Sequence, residues 1–371
     1  MPMGKIGETT LQIDLTALEH NYRYLRSKIA PKTKFLAVVK AFAYGSDMIS
    51  VAQKMEQLGV DYLAVAYAKE GSLLRDAVIK TPILVLHPLP ANFDEIIDRC
   101  LEPSLYSRKI LVEFLEVAKA KNQKAYPVHI KFNTGLNRLG FNEADVDFVA
   151  DKLKDSQEVK VASLFSHLAA SEDLEEKPFS LDQINTFKKI SKNFIKKLGY
   201  VPIRHMLNTS GILNYPEAQF EMVRSGIGLY GYGNDAEVDS QLKPVASLKT
   251  IISQIHHIEA NETVGYNRAF TSKGSRKTAT LPLGHADGIG RQYGNGKASV
   301  LIHGKKAPII GNVCMDMIMV DVTGIDCEEG NEAIVFGPNK SAEDFAAGAQ
   351  TISYEILTAI SQRVKREIIE D

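Results

Sequence analysis

The chain has 371 residues, enough for roughly two domains at ~150 residues each. Hydrophobic residues make up 44% and charged residues 24%, the balance of an ordinary globular protein, and the formal net charge of −1 gives no whole-molecule attraction to nucleic acid or to an anionic membrane. Cys100, Cys314 and Cys327 are too widely spaced for a disulfide framework or a metal-ligand motif. No run approaches the ~18 consecutive apolar residues of a membrane span. The opening MPMGKIGETTLQIDL lacks the apolar core of a secretory signal. A reducing, cytoplasmic compartment is therefore expected.

Short apolar runs alternate with helical periodicity through the first two thirds of the chain. The predicted strands are FLAVV before Lys40, YLAVAY from Tyr62, PILVLH from Pro82 and PSLYS from Pro103. They continue with YPVHIKF from Tyr126, VKVASLFSH from Val159, IRHML from Ile203 and EMVRSG from Glu221. Several are apolar throughout, as strands buried on both faces are. The basic stretch KTKFLAVVK reads as the flank of the first. Between strands, Met48, Val51, Met55 and Leu58 repeat at helical spacing before Gly59. Ile184, Phe187, Ile190, Phe194 and Leu198 do the same before Gly199. Eight strands alternating with helices predict a (β/α)8 TIM-type barrel, in preference to a doubly wound open sheet.

After GLYGYG the texture changes. The polar, turn-rich GNDAEVDSQLKP marks a domain boundary. The barrel is placed at residues 1–238 and a mainly β domain at 239–371. The latter holds VASLKTIISQIHHI, KTATLPLG, ASVLIHG, APIIGNV, MIMVDVT and EAIVFG as strands, and SYEILTAISQRVKREI as a terminal helix.

A barrel gathers its reactive groups at the C-terminal ends of its strands. Lys40 ends the first strand, with Tyr44 beyond it. Lys131 and Arg138 end and follow the fifth, and His167 ends the sixth. His205, Asn208, Thr209 and Ser210 belong to the end of the seventh, and Arg224, Ser225 and Gly226 to the eighth. Taken singly, each is a solvated rim charge, a satisfied core histidine or a turn glycine. Their convergence on one barrel face points to a site. Asn208-Thr209-Ser210-Gly211 and Ser225-Gly226-Ile227-Gly228 suit a phosphate cradle after strands seven and eight. A lysine facing such a cradle suits a pyridoxal-phosphate Schiff base; a phosphosugar isomerase or an aldolase would also fit this pattern.

AVVKAFAYGSD resembles the cofactor-lysine motif VVKANAYGHG of the alanine racemase family. IKFNTGLNRLGF resembles its K-x-D-T-G-M-x-R-L-G-F, and FSHLAASED, HMLNTSG, VRSGIGLYG, VGYNRAF, LPLGHADGIGR and GNVCMDMIMVDVT follow in the family's order. The resemblance spans nearly the whole chain and implies a barrel followed by a mainly β domain. It implies pyridoxal 5'-phosphate held by Lys40. Tyr44, Asn208, Thr209, Ser210, Gly226, Ile227 and Tyr354 would lie around the phosphate, and Arg224, backed by His205, would face the pyridine nitrogen. Arg138 and the backbone of Met315 would receive the substrate carboxylate, with Cys314 and Asp316 in support. Lys131 matches a position that is carbamylated in some members, orienting the arginine.

The resemblance further implies interconversion of L- and D-alanine by two bases, Lys40 on one face of Cα and Tyr266 on the other, supplying D-alanine for peptidoglycan. Tyr266 would come from the partner subunit of a head-to-tail homodimer. A phenol ionises only near pH ~10 in water, and His167 would assist this one. A guanidinium at the pyridine nitrogen disfavours its protonation, which would weaken the electron sink and suppress side reactions. Phe42 replaces the motif's Asn, Ser46-Asp47 its His-Gly, Asn133 its Asp, and His285 a Tyr. The alternatives are a serine or broad-range racemase of the same family, a related pyridoxal-dependent decarboxylase, and a non-enzymatic pyridoxal-phosphate carrier. The Tyr266 and CMD motifs oppose the decarboxylase, and the β domain opposes the carrier. A piece of a fusion with a cell-wall ligase is a further alternative.

Overall fold

A computed structural model describes residues 8–233 and 236–370. Asn234 and Asp235, in the predicted boundary segment, and the first seven residues of the opening segment lie outside the described residues.

Eight parallel strands close into a barrel in chain order: Lys34–Val38, Tyr62–Val65, Ile83–Val85, Glu102–Leu105, Tyr126–Lys131, Val159–Phe165, Ile203–His205 and Met222–Ser225. The eighth strand pairs with the first, from Lys34↔Met222 to Ala37↔Ser225. These are the eight predicted strands, most of them shortened at their ends, with the first and fourth beginning one residue earlier than predicted. The doubly wound alternative is excluded by this closure. Ile83, Leu84 and Val85 are all buried, as layers on both faces require.

The crossover helices form where the spacing placed them. Asp47 accepts the N–H of Ser50 at 2.8 Å and starts Met48–Gln57, which buries Met48, Val51, Ala52 and Met55 along one face. Lys177–Leu198 buries Ile184, Phe187, Ile190, Phe194 and Leu198 and stops at Gly199, whose φ is +83°.

The second unit is a nine-stranded sheet. Its order is Gln254–Ile258, Arg276–Leu281, Ile318–Asp321, Lys305–Ile310, Ser299–Ile302, Glu332–Phe336, Ala246–Ile251, Thr10–Asp14 and Lys365–Ile369. Two expectations need correcting here. The terminal stretch is a helix only over Ser353–Ala359; Lys365–Ile369 is a strand. Leu357, Ile360 and Val364 are buried at helical spacing, which is what the sequence displays. The strand is set instead by parallel pairing with Thr10–Asp14, a partner more than 350 residues away that no local pattern shows. That first strand was itself unpredicted, although Leu11, Ile13 and Leu15 alternate. It pairs with Ala246–Ile251 as well, so the chain enters the second sheet before it enters the barrel.

This tie matters for the barrel's first strand end. Arg366, on the terminal strand, donates to the carbonyls of Gly45 (2.9 Å) and Ser46 (3.3 Å), just past Lys40. Gly45 has φ +79°, and a Cβ there would lie 2.0 Å from the Leu357 carbonyl oxygen. Gly45→Ala therefore meets both an unfavourable backbone conformation and fixed backbone atoms. We expect it to cost about 2 kcal/mol or more and to lower the melting temperature while the barrel lysine is retained. An unchanged melting temperature would contradict the packing of this turn.

Candidate active site

The site begins with an unusual turn. Ala41, Phe42, Ala43 and Tyr44 all have φ between +53° and +56°, a left-handed coil of four non-glycine residues. Each such residue costs roughly 1–2 kcal/mol, so the surroundings must enforce it. Glu70 does so from the next crossover helix: its carboxylate accepts the Ala41 N–H at 2.6 Å and the Ala66 N–H at 2.7 Å. Arg366 holds the far end of the turn. Lys40 is thereby fixed at the mouth of the barrel.

Lys40 lines a cavity of about 680 Å³ together with Tyr44, Lys131, Arg138, His167, Asn208, Thr209, Ser210, Arg224, Gly226, Ile227 and Tyr354. The predicted residues of the barrel site thus meet in one space, except His205, Ser225, Gly211 and Gly228, which do not line it. Tyr67, His87, Leu139 and Phe165 also line it and were not singled out from sequence. Phe165 is apolar strand texture, and nothing local distinguishes it.

The charge in this cavity is one-sided. Lys40, Lys131, Arg138 and Arg224 line it, and among the described residues no Asp or Glu does; Glu172, Asp239 and Glu343 line an adjoining space that shares Arg138, His167, Asn208 and Tyr354. Burial, and then the neighbouring Arg138, pull the Lys40 amine below its usual range. Lys131 is lowered to about 8, first by burial and then by Arg138, Arg224 and Lys40. Its ammonium lies 5.7 Å from the Phe165 ring centroid and makes no ion pair among the described residues. Such a site favours ligands carrying at least two negative groups.

At one end hydroxyl-bearing and glycine residues form walls that could hold a small anion. Tyr44 stacks on Tyr230 with centroids 4.5 Å apart, and its ring lies 6.0 Å from that of Tyr354. Burial pushes the Tyr44 phenol well up, so it stays a protonated donor. A Cβ on Gly226 would sit 2.2 Å from the Tyr44 hydroxyl oxygen; only glycine lets the backbone approach there. Thr209 and Ser210 are buried beside it, and Thr209 shares a 3.0 Å hydrogen bond with Ser225. Asn208 starts the short helix Thr209–Asn214 by accepting the Gly211 N–H at 2.9 Å.

Arg224 occupies the centre. Its Nη2 donates to the carbonyls of Ser166 (2.8 Å) and Met206 (3.0 Å) and to Nδ1 of His167 (3.1 Å), and its Nη1 donates to Nδ1 of His205 (2.7 Å). All four partners are neutral acceptors. Burial, followed by the Arg224 charge, holds both imidazoles well below their ordinary pKa, so each keeps a lone pair for the guanidinium.

Tyr266, Cys314, Met315 and Asp316 lie elsewhere. They line a second, open cleft on the β domain, with His256 and Met319. Tyr266 is 72% exposed and Met315 59%. Asp316 pairs with Arg363 at 2.6 Å, and the Cys314 thiol faces the Asn312 carbonyl at 3.7 Å. Of the departures from the motif, Asn133 accepts the N–H groups of Gly135 and Asn137, doing the turn-capping work of an aspartate without its charge. Phe42 and His285 are exposed, and the His285 N–H donates to the Cys314 carbonyl.

Residues 13–234 match the model for the alanine racemase N-terminal domain, and residues 245–368 that for its C-terminal domain. The chain belongs to the alanine racemase family. It is 33% identical over 371 residues to alanine racemase 2 of Caldanaerobacter subterraneus, covering 98% of this chain and 95% of that protein. The structure of the Clostridium difficile alanine racemase superposes with a TM-score of 0.92 at 32% identity, covering 99% of this chain and 97% of that one. That of the Bartonella henselae alanine racemase, which has covalently bound pyridoxal phosphate, superposes with a TM-score of 0.90 at 29% identity, covering 98% of this chain and 100% of that one. Among the described residues no helix is long and apolar enough to cross a membrane, and no cluster of ligating side chains could hold a metal ion.

Proposed function

We propose that this protein is an alanine racemase that interconverts L- and D-alanine with Lys40 and Tyr266 as its two bases. The observation that carries this reading is the cavity of four cations without a carboxylate, because it needs a phosphate and a substrate carboxylate to balance it. The residues fit pyridoxal phosphate: a neutralisable lysine at the centre, and Tyr44, Thr209, Gly226, Ile227 and Tyr354 forming an anion cradle at one end. Once bound there, the cofactor supplies a conjugated ring that delocalises the electron pair left when the α-proton departs.

The chain's own groups do the rest. Burial and Arg138 favour the neutral amine of Lys40, which can take a proton from Cα on one face and return it. Arg138 receives the substrate carboxylate at the cavity mouth. Arg224, held in place by its hydrogen-bond acceptors, would present its cation toward the ring nitrogen of the bound cofactor and oppose protonation there. His167, neutral and accepting from Arg224 at Nδ1, would carry its proton on Nε2 and donate a hydrogen bond to the second base.

That second base is Tyr266 of the partner subunit in a head-to-tail homodimer. Its exposure, and its grouping with Met315 in a cleft apart from the Lys40 cavity, support this assignment. The arrangement would bring one chain's cleft over the other's barrel mouth. D-alanine so formed would serve peptidoglycan, and the reaction takes place in the cytoplasm.

Lys131 carries a carbamate in this account. With its pKa lowered to about 8, the amine is neutral in a minor fraction of about a tenth near pH ~7, and that fraction can attack carbon dioxide, releasing a proton to solvent as the carbamate forms. The product is an anion beside Arg138 and Arg224, replacing cation repulsion with attraction. Protein equilibrated with 13C-bicarbonate should show a carbamate carbon signal that is absent from Lys131→Met; identical spectra would remove this modification.

The activity is tested by loss of optical rotation with L-alanine and with L-serine, in the presence of added pyridoxal phosphate. Racemisation of alanine well above that of serine is expected, with Lys40→Ala at least about 10³-fold slower. Turnover of serine alone would favour the serine racemase reading, and racemisation of neither would overturn the proposed function.

A further inference from the structure

The hydrogen bonding behind Arg224 does not end at His205. His205 Nε2 lies 2.8 Å from the hydroxyl of Ser163, that hydroxyl lies 2.6 Å from Nδ1 of His129, and His129 Nε2 lies 2.8 Å from a carboxylate oxygen of Glu102. Tyr62 is hydrogen-bonded to the same carboxylate, and its ring packs edge-on against His129 at 5.7 Å. His129, Ser163 and His205 are wholly buried, and Glu102 and Arg224 nearly so. Barrel interiors are normally filled by branched apolar side chains, and each buried polar group is costly unless paired.

The chain uses one residue from each of five consecutive barrel strands, the fourth to the eighth. It also climbs the barrel. Glu102 begins its strand, two residues before Ser104, which is level with His129. His129 is level with Ser163, and His205 is level with Phe165, two residues further up. Arg224 stands two residues above Met222, the register partner of His205. One end therefore lies at the floor of the barrel and the other faces the cavity.

The two ends fix every link between them. A guanidinium only donates, so His205 must offer a bare Nδ1 and carry its proton on Nε2. That N–H donates to Ser163, leaving the serine hydroxyl to donate to Nδ1 of His129. His129 then donates from Nε2 to a carboxylate, which only accepts. All four bonds run one way, from Arg224 to Glu102, and no member is frustrated.

We propose that Glu102, His129 and Ser163 are positioning residues for Arg224, with the Glu102 carboxylate acting through the intervening chain to hold His205 as a neutral, polarised acceptor of the guanidinium. It is the counter-charge to a cation that has no carboxylate of its own in the cavity. Bonds aligned in series polarise one another, so the carboxylate strengthens the His205–Arg224 bond three links away. The proposal rests on Arg224 facing the cofactor ring, as in the function proposed above.

The test labels the ring nitrogens of histidine with 15N in the full-length protein, with and without pyridoxal phosphate. His129 and His205 should both show protons on Nε2 and a bare Nδ1. Glu102→Gln keeps an acceptor oxygen but removes the charge; it should shift the ring signals of both histidines. In a Ser163→Ala background the same change should shift His129 alone. Either single variant should lower kcat for alanine by about tenfold, as loss of an orienting partner does, with KM changed less than about twofold. A proton on Nδ1 of His205, or His205 signals that ignore Glu102→Gln, would overturn the proposal. These signals need no turnover, so failure of the racemase reading would appear separately, in the optical assay.

Discussion

The structure turns on holding four cations, Lys40, Lys131, Arg138 and Arg224, around one cavity whose described lining has no carboxylate. An unpaired buried charge costs several kcal/mol, and these also repel one another. The protein answers each differently. Arg224 is surrounded by two carbonyls and two neutral imidazoles. Lys131 lies near the face of Phe165, and its pKa is lowered to about 8, so its proton is held less firmly than on a free lysine. Lys40 is fixed by a left-handed turn that Glu70 and Arg366 impose from opposite sides. What remains is a positive potential aimed at the cavity, and anionic ligands relieve it. Binding and fold stability are therefore coupled through the same groups.

The same constraint explains the division of labour between the two units. The β domain supplies Arg366 and Leu357, which define the turn after Lys40. It does so through a strand paired with the chain's first strand, Thr10–Asp14. The barrel alone would leave that turn without its outer support. The second contribution is the cleft bearing Tyr266 and Met315, whose lining shares no residue with the chain's own barrel site.

Much of this was legible in the sequence, for physical reasons. Barrel strands are buried on both faces and read as apolar runs, so all eight were visible. Residues at their C-terminal ends are polar because they face a site, so Lys40, Lys131, His167, Thr209 and Arg224 stood out. Contacts between distant segments did not. The helical spacing of Leu357, Ile360 and Val364 leads straight into Lys365–Ile369, yet that segment is a strand because of its partner. Glu70 reads as an ordinary first-turn acid of a helix, and Arg366 as a surface charge. Glu102, His129 and Ser163 are single polar residues inside apolar strands. Only the closed barrel shows that they touch. The signal that would have found them is the repeated interruption of successive buried strands by one polar residue.

In the proposed function each active site joins Lys40 of one chain to Tyr266 of another. Mixing Lys40→Ala and Tyr266→Phe proteins after reversible dissociation tests it most directly. Each variant alone is expected to be nearly inactive. A mixed dimer would hold one site with both bases intact and one with neither, so random reassociation should restore about a quarter of wild-type activity. Failure of the mixture to rise above its inactive parents, with heterodimers present, would contradict the shared site.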